Sequence, residues 1–260
     1  LNVAQDAIAD PTERTDLAQL NLDAGKKAKE NIAYRVAKDY FKLAIAYLDD
    51  NAWETHYSLT YALYKQLAET EQLDSNFEQA DKLINLLLSR VESLVDKADI
   101  YLLSILHQTM ISQEHRAIEI GKQALALLGL DWPEPDQLKT ISLCLERARQ
   151  QINHKTQGQA LSVLLNEPEA NDLIQKRIIK LLNWLLVPSY ITKQDQLHFW
   201  LGSKIVELSC QYGMVAESAY GFTVYGMLVS TELGDSQLGY EIGWLALNLS
   251  KRFKIGRAHV

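Results

Sequence analysis

The residues that could do chemistry in this 260-residue chain are few and scattered. The six histidines stand singly at 56, 107, 115, 154, 198 and 259. None belongs to a His-Glu-x-x-His run, which would set two imidazoles on one helix face around zinc. His107 and His115 are near one another but have no neighbouring ligand, so they read as ordinary surface or core histidines. Cys144 and Cys210 lie far apart and outside any Cys-x-x-Cys; two buried free thiols fit a reducing cytosol better than a disulfide framework or a zinc site. A phosphate-binding loop needs glycines whose amides cradle the anion, followed by Lys and then Ser or Thr. Gly121-Lys122 is followed by Gln123 and has Arg at 116, and Gly25-Lys26-Lys27 lacks the upstream glycine. Acidic pairs such as Asp49 and Asp50, or Glu167 and Glu169, read as helix ends and caps. A glycosidase would need two carboxylates converging in a cleft lined by aromatics, and the five tryptophans sit mostly at the spacing of helix cores. No catalytic, cofactor-binding or metal-ligating residue is assigned.

Composition narrows the classes further. Hydrophobic residues make up 47% and charged residues 23%, ordinary for a globular protein. The strongest apolar stretch, Ile178 to Val187, is interrupted by Lys180 and Asn183 and followed by Pro188, so it reads as a core helix and not a bilayer span. The net charge of -7 disfavours nucleic acid, whose backbone is held mainly by Lys and Arg. Small basic clusters such as Lys176, Arg177 and Lys180 read as solvated helix faces. A membrane partner is likewise not expected. No secretory leader is visible, and the true start is expected upstream of Leu1.

Whatever the chain does must therefore be carried by its elements. Between the prolines at 11, 133, 135, 168 and 188 the apolar residues follow helical spacing. Asp10, Pro11 and Glu13 predict an N-cap, a first helical residue and a capping-box acid for a helix ending about Glu30. A second helix is expected from Ile32 to Leu48 with Ala33, Ala37, Tyr40, Ala44 and Tyr47 on one face. A third spans Trp53 to Leu73, and Asn76 with Gln79 offers a capping box for a fourth ending near Leu94. Helices near 96–112, 114–128 and 136–153 follow, then a short one. Asn166, Pro168 and Glu169 predict the start of a helix ending at Val187, and the last three lie near 193–212, 214–233 and 236–253. This is an all-α chain of roughly a dozen helices with no sheet and a helix content far above the roughly one-third typical of globular proteins.

The helices carry a degenerate repeat. A tetratricopeptide-like helix pair needs small residues where its helices cross. Ala80 is followed at four and seven residues by Ile84 and Leu87, Ala117 by Gly121 and Ala124, and Gly239 by Gly243 and Ala246. With Ala33, the positions Ala80, Ala117, Gly121, Ala124, Gly239, Gly243 and Ala246 are the expected repeat-packing residues of an antiparallel α-solenoid. The unequal spacings leave an irregular helical bundle as the other reading. Seven of the twelve glycines fall between Gly202 and Gly243, which points to close helix packing, because a helical glycine costs about 1 kcal/mol relative to Ala. The expected division is residues 1–129 and 136–253, meeting at a bend over 130–135.

Three stretches carry a family resemblance. They are Ala24-Gly25-Lys26-Lys27-Ala28-Lys29 with Ala33-Tyr34 and Tyr40-Phe41; Asn76-Phe77-Glu78-Gln79-Ala80; and Gln211-Tyr212-Gly213 through Ala219-Tyr220, Tyr225-Gly226 and Gly234-Asp235 to Gly239-Tyr240. Together they resemble the helical region after the AAA-type ATPase domain in bacterial multidomain signalling proteins that combine serine/threonine-kinase-like and hybrid histidine kinase modules. The resemblance implies a non-catalytic scaffold or relay, without cofactor, contacting neighbouring domains or a protein partner in the cytoplasm. The residues alone also allow a free-standing peptide-binding adaptor and, more remotely, a helical enzyme. Residues 254–260 are expected to be non-native: Ile255-Gly256-Arg257-Ala258-His259-Val260 looks like a translated sequencing adapter, with a native polar tail as the alternative.

Overall fold

The computed structural model describes residues 10–139 and 141–256. The described residues form thirteen α-helices and no sheet. Two compact units divide after His107.

In the first unit, α1 (Pro11–Glu30) begins where Thr12 N–H donates to the Asp10 carboxylate at 3.0 Å, the cap expected from the sequence. It packs against α2 (Tyr34–Tyr47), whose buried face is Ala37, Phe41, Ala44 and Tyr47. Phe41 takes the place expected for Tyr40 because its ring fills the space left by Gly25 of α1, where a Cβ would collide with it. The expected third helix is divided into a single turn, α3 (Ala52–Thr55), and α4 (Tyr57–Leu73). The Thr60 hydroxyl donates to the carbonyls of Ala52 and His56, both at 3.0 Å, and ties the two pieces together. Next comes α5 (Phe77–Arg90), burying Ala80, Leu83, Ile84 and Leu87. Then α6 (Leu94–Met110) begins, its Ile100 and Leu103 joining the core of Leu17, Phe41, Leu63 and Leu87.

The second unit contains α7 (Glu114–Leu127), α8 (Pro135–Lys139), α9 (Ile141–Thr156), α10 (Leu173–Ile191), α11 (Asp195–Tyr212), α12 (Ser218–Glu232) and α13 (Ser236–Arg252). The run α10, α11, α12, α13 packs each helix on the next in chain order, and α7 packs on α10. The 130–135 segment thus lies inside this unit. Trp132 of the bend rests against Trp200 of α11 at 6.1 Å between ring centroids.

Two proline expectations are corrected here. Pro168 does not begin a helix: Leu161–Asn166 is a 3-10 turn, and the residues after it run extended. The Pro168 carbonyl accepts from Met214 N–H at 3.0 Å, and Ala170 N–H donates to the Met214 carbonyl at 3.1 Å. The α10 cap is instead Asp172, whose carboxylate accepts from the amides of Ile174 and Gln175 at 2.8 and 3.1 Å. Pro188 does not end α10, which continues to Ile191. The Ser189 and Thr192 hydroxyls donate to the Leu186 and Pro188 carbonyls at 2.9 and 2.8 Å, holding the final turn around the missing N–H.

One connection recurs. After α1, α4, α6 and α10 the chain passes through a left-handed residue, Ile32, Ser75, Ser112 and Lys193. The amide that follows reaches back five residues, as in Ala33 N–H to Ala28 O at 2.9 Å and Asn76 N–H to Glu71 O at 2.8 Å. Gln113 N–H to Gln108 O at 2.8 Å and Gln194 N–H to Ser189 O at 2.9 Å repeat it. This is the Schellman closure of a helix end, and it makes the connection to the next helix alike each time.

Candidate functional site

The expected repeat-packing residues fall into three groups. Ala80, Ala117, Ala124 and Ala246 are buried on their helices, and so are Gly121 and Gly239. At Gly121 a Cβ would collide with Leu185 of α10, and at Gly239 with Ser230 of α12 and the Gly226 carbonyl, so these two glycines mark close helix approaches within the second unit. Ala33 is the half-buried residue that caps α2, outside the helix proper. Gly243 is exposed, and a Cβ there would meet nothing within 4 Å. The offset that places Gly243 four residues after Gly239 turns it off the buried face of α13. Three glycines that sequence offsets did not single out also serve as packing sites: Gly202 against Val224, Gly221 against Ile205, and Gly226 against Ile242.

The first unit holds a feature the sequence did not reveal. Glu71, at the end of α4, is fully buried. Lys38 and Lys42 of α2 place their ammonium groups 3.2 and 3.0 Å from its oxygens, and the Asn76 amide donates to it at 2.9 Å. The sequence predicts Asn76 as the cap of α5, but its side chain makes no bond to the first amides of that helix, and its NH2 group donates to the carboxylate instead. Burial alone would raise the Glu71 pKa, but the bonds from Lys42, Asn76 and Lys38 outweigh it and hold the carboxyl below its ordinary range. Lys38, also paired with Asp74, is held above the ordinary lysine value against the opposing effect of burial. The cluster fastens α2 to the α4–α5 turn.

At the opposite end of α4 a cleft of about 500 Å³ is lined by Trp53, Glu54, Tyr57, Arg90 and Glu92, and a neighbouring one of about 260 Å³ shares Trp53 and Arg90. The aromatic wall is continuous: Trp53 lies 6.2 Å from Tyr57 and 5.4 Å from Tyr64, and Tyr57 stacks on Tyr61 at 6.0 Å. Tyr57 donates its hydroxyl to Asp96 at 2.9 Å. Burial and that carboxylate push its pKa up to about 12, so it acts only as a neutral donor. A half-exposed aromatic wall with charged rims suits an extended peptide.

In the second unit, Ser189 and His198 meet in the arrangement of a nucleophile and base. The His198 Nδ1 is 3.2 Å from the Ser189 hydroxyl, but also 3.1 Å from the Leu186 carbonyl. A carbonyl needs a donor, so that nitrogen carries the proton and cannot take one from serine. The pair is a helix-end lock. Burial holds the His198 pKa below the ordinary imidazole value, against the raising influence of the Leu186 carbonyl and Asp195. A base whose folded pKa is depressed contributes stability above its unfolded pKa of about 6.5. That contribution is lost as pH falls through this value toward the folded one. Acid titration of the unfolding free energy should show this loss, and His198→Phe should flatten it; an unchanged slope would exclude His198 as its source. Cys210 is buried, and burial pushes its thiol up to about 12, which makes it unreactive at neutral pH. His107 is buried against Phe77 with its ring 5.9 Å away. Among the described residues no group of three or more His, Cys, Asp and Glu gathers that could hold a metal ion, and no helix is long and apolar enough to cross a membrane.

Across 278 aligned residues, covering 97% of this chain, the sequence is 22% identical to the hybrid signal transduction histidine kinase G of Dictyostelium discoideum. The chain spans 8% of the length of that relative. No family model and no solved structure matches the chain.

Proposed function

We propose that this chain is a non-catalytic helical scaffold in a multidomain signalling kinase of the cytoplasm, relaying the state of an upstream ATPase switch to downstream sensor and kinase modules by protein contacts. The observation that carries this reading is the alignment of nearly the whole chain to 8% of the length of a histidine kinase. The run α10 to α13, stacked in chain order, supplies a physical means, since in such arrays each helix touches mainly its neighbours and a change at one end alters the path of the rest.

The test is made in the longer protein. Deleting the region corresponding to residues 10–253 should uncouple kinase output from nucleotide state while leaving nucleotide binding intact. Gly129→Ala in the same protein should change the regulated-to-basal ratio of the kinase. Gly129 has a φ of 82° with open space around it, so the substitution strains only the backbone, by about 1 kcal/mol. Unchanged nucleotide-dependent control after the deletion would overturn the relay.

A second reading, a peptide-binding adaptor, is favoured by the Trp53 and Arg90 cleft of the first unit. Under it, Trp53→Ala would abolish capture of a partner peptide, and the deletion would leave nucleotide control untouched.

A further inference from the structure

The first unit contains, filled, the chemistry that its cleft leaves open. Lys65 of α4 holds its ammonium 5.5 Å over the ring of Tyr61 and 3.0 Å from the Asp99 carboxylate of α6. An aromatic face and a carboxylate thus close on one cation, and the half-buried setting of all three strengthens the attraction. One helical turn earlier the same elements offer the same groups again. Tyr57 stands four residues before Tyr61 and stacks on it at 6.0 Å, and Glu92 stands four before Asp96, which accepts from the Tyr57 hydroxyl. Trp53 adds a second ring at 61° to Tyr57, and Glu54 adds a second carboxylate. The position four before Lys65 is Tyr61 itself, and no lysine lines the cleft.

The open groups surround about 500 Å³. Glu54 and Glu92 are exposed, and neither is in an ion pair among the described residues. The Arg90 guanidinium, also in the lining, stands at the last residue of α5, where the carbonyl end of a helix favours a cation. The cleft keeps two carboxylates to one cation. Carboxylates flanked by rings suit an organic ammonium and not a metal ion, which needs a denser set of oxygen ligands. From this open cluster beside a filled one, we propose that the cleft takes a lysine side chain of a partner peptide, its ammonium at Glu54 and Glu92 and its stem along Trp53 and Tyr57. This rests on the reading of the cleft as a peptide site and names the residue that the peptide must carry.

Retention of the whole chain on three immobilised heptapeptide pools tests it. The central residue is Lys, norleucine or Glu, and the other positions are random but without Lys or Arg. The Lys pool should retain the chain, less so as salt is raised. Glu54→Gln with Glu92→Gln alters only exposed side chains, so it should preserve helical circular dichroism while weakening retention at least about tenfold. Arg90→Gln, which removes the competing cation, should strengthen it. Equal retention on all three pools, preference for norleucine or Glu, or a Lys pool indifferent to the double variant would overturn the lysine assignment; if such retention were lost in Trp53→Ala, the peptide site would stand with a different ligand chemistry. No retention on any pool would overturn both.

Discussion

Glu71→Ala is expected to destabilise the first unit by about 3–5 kcal/mol, the range found when one partner of a buried ion pair is removed. The substitution leaves the Lys38 and Lys42 ammonium groups and the Asn76 amide facing a void where a carboxylate had accepted from them. Hydrogen exchange should then show faster opening in α2, α4 and α5. The pair Lys38→Met with Glu71→Leu should cost much less than Glu71→Ala alone, because it removes the buried charge together with its partner. Equal losses would mean that packing volume, and not charge, holds this turn. The pH dependence has a defined sign. The contribution of Glu71, whose pKa is depressed, is present above the unfolded carboxylate value of about 4.3 and is lost as pH falls through the folded value. That of Lys38, whose pKa is raised, is present below about 10.4 and is lost as pH rises through the folded value. Stability of this cluster should be level between those limits and absent in the Glu71→Ala variant.

Gly213→Ala should cost the second unit about 3–5 kcal/mol, adding backbone strain to a steric clash. Gly213 closes α11 with φ 111° and ψ 161°, a region essentially restricted to glycine. A Cβ there would lie 2.7 Å from the amide nitrogen and 2.8 Å from the Cα of Ala170. The colliding atoms belong to the backbone that pairs with Met214, so they cannot rotate aside. Gly234→Ala is the control, because its φ of 66° is also positive but nothing lies within 4 Å; its cost should stay near about 1 kcal/mol. Thermal or urea unfolding that gave both variants the same loss would show that the contact with Ala170 contributes nothing.

Much of the helical order was legible because its signals are local. Asp10 before Pro11 and the Asp235 cap, which accepts from Leu238 N–H at 2.9 Å, announce helix starts directly. The recurring turn was not, because its left-handed position holds Ile32, Ser75, Ser112 and Lys193 where glycine would be the recognisable sign. Pro168 resembled a helix start, yet its carbonyl is engaged by Met214, a residue distant in sequence that no local rule connects to it. Glu71 sits in the run Glu69-Thr70-Glu71-Gln72, which by composition suits a wet helix face; only the arrival of Lys38 and Lys42 from α2 makes it a buried anchor. Gly121 and Gly239 lie against side chains of neighbouring helices while Gly243 faces open space, a difference that their shared offset in the sequence does not carry.

The close-packed glycines of α11, α12 and α13 also bear on how this part of the chain acquires its structure. Each interior glycine weakens its helix by about 1 kcal/mol relative to Ala, and α12 carries both Gly221 and Gly226. Alone in water such segments would remain mostly coil. Their helical state depends on a neighbour being in place, yet that neighbour is always the adjacent segment in sequence, so closing each contact requires only a short loop. Secondary and tertiary structure must then arise together along this stretch, at low contact order, with ordering at one helix lowering the nucleation cost of the next.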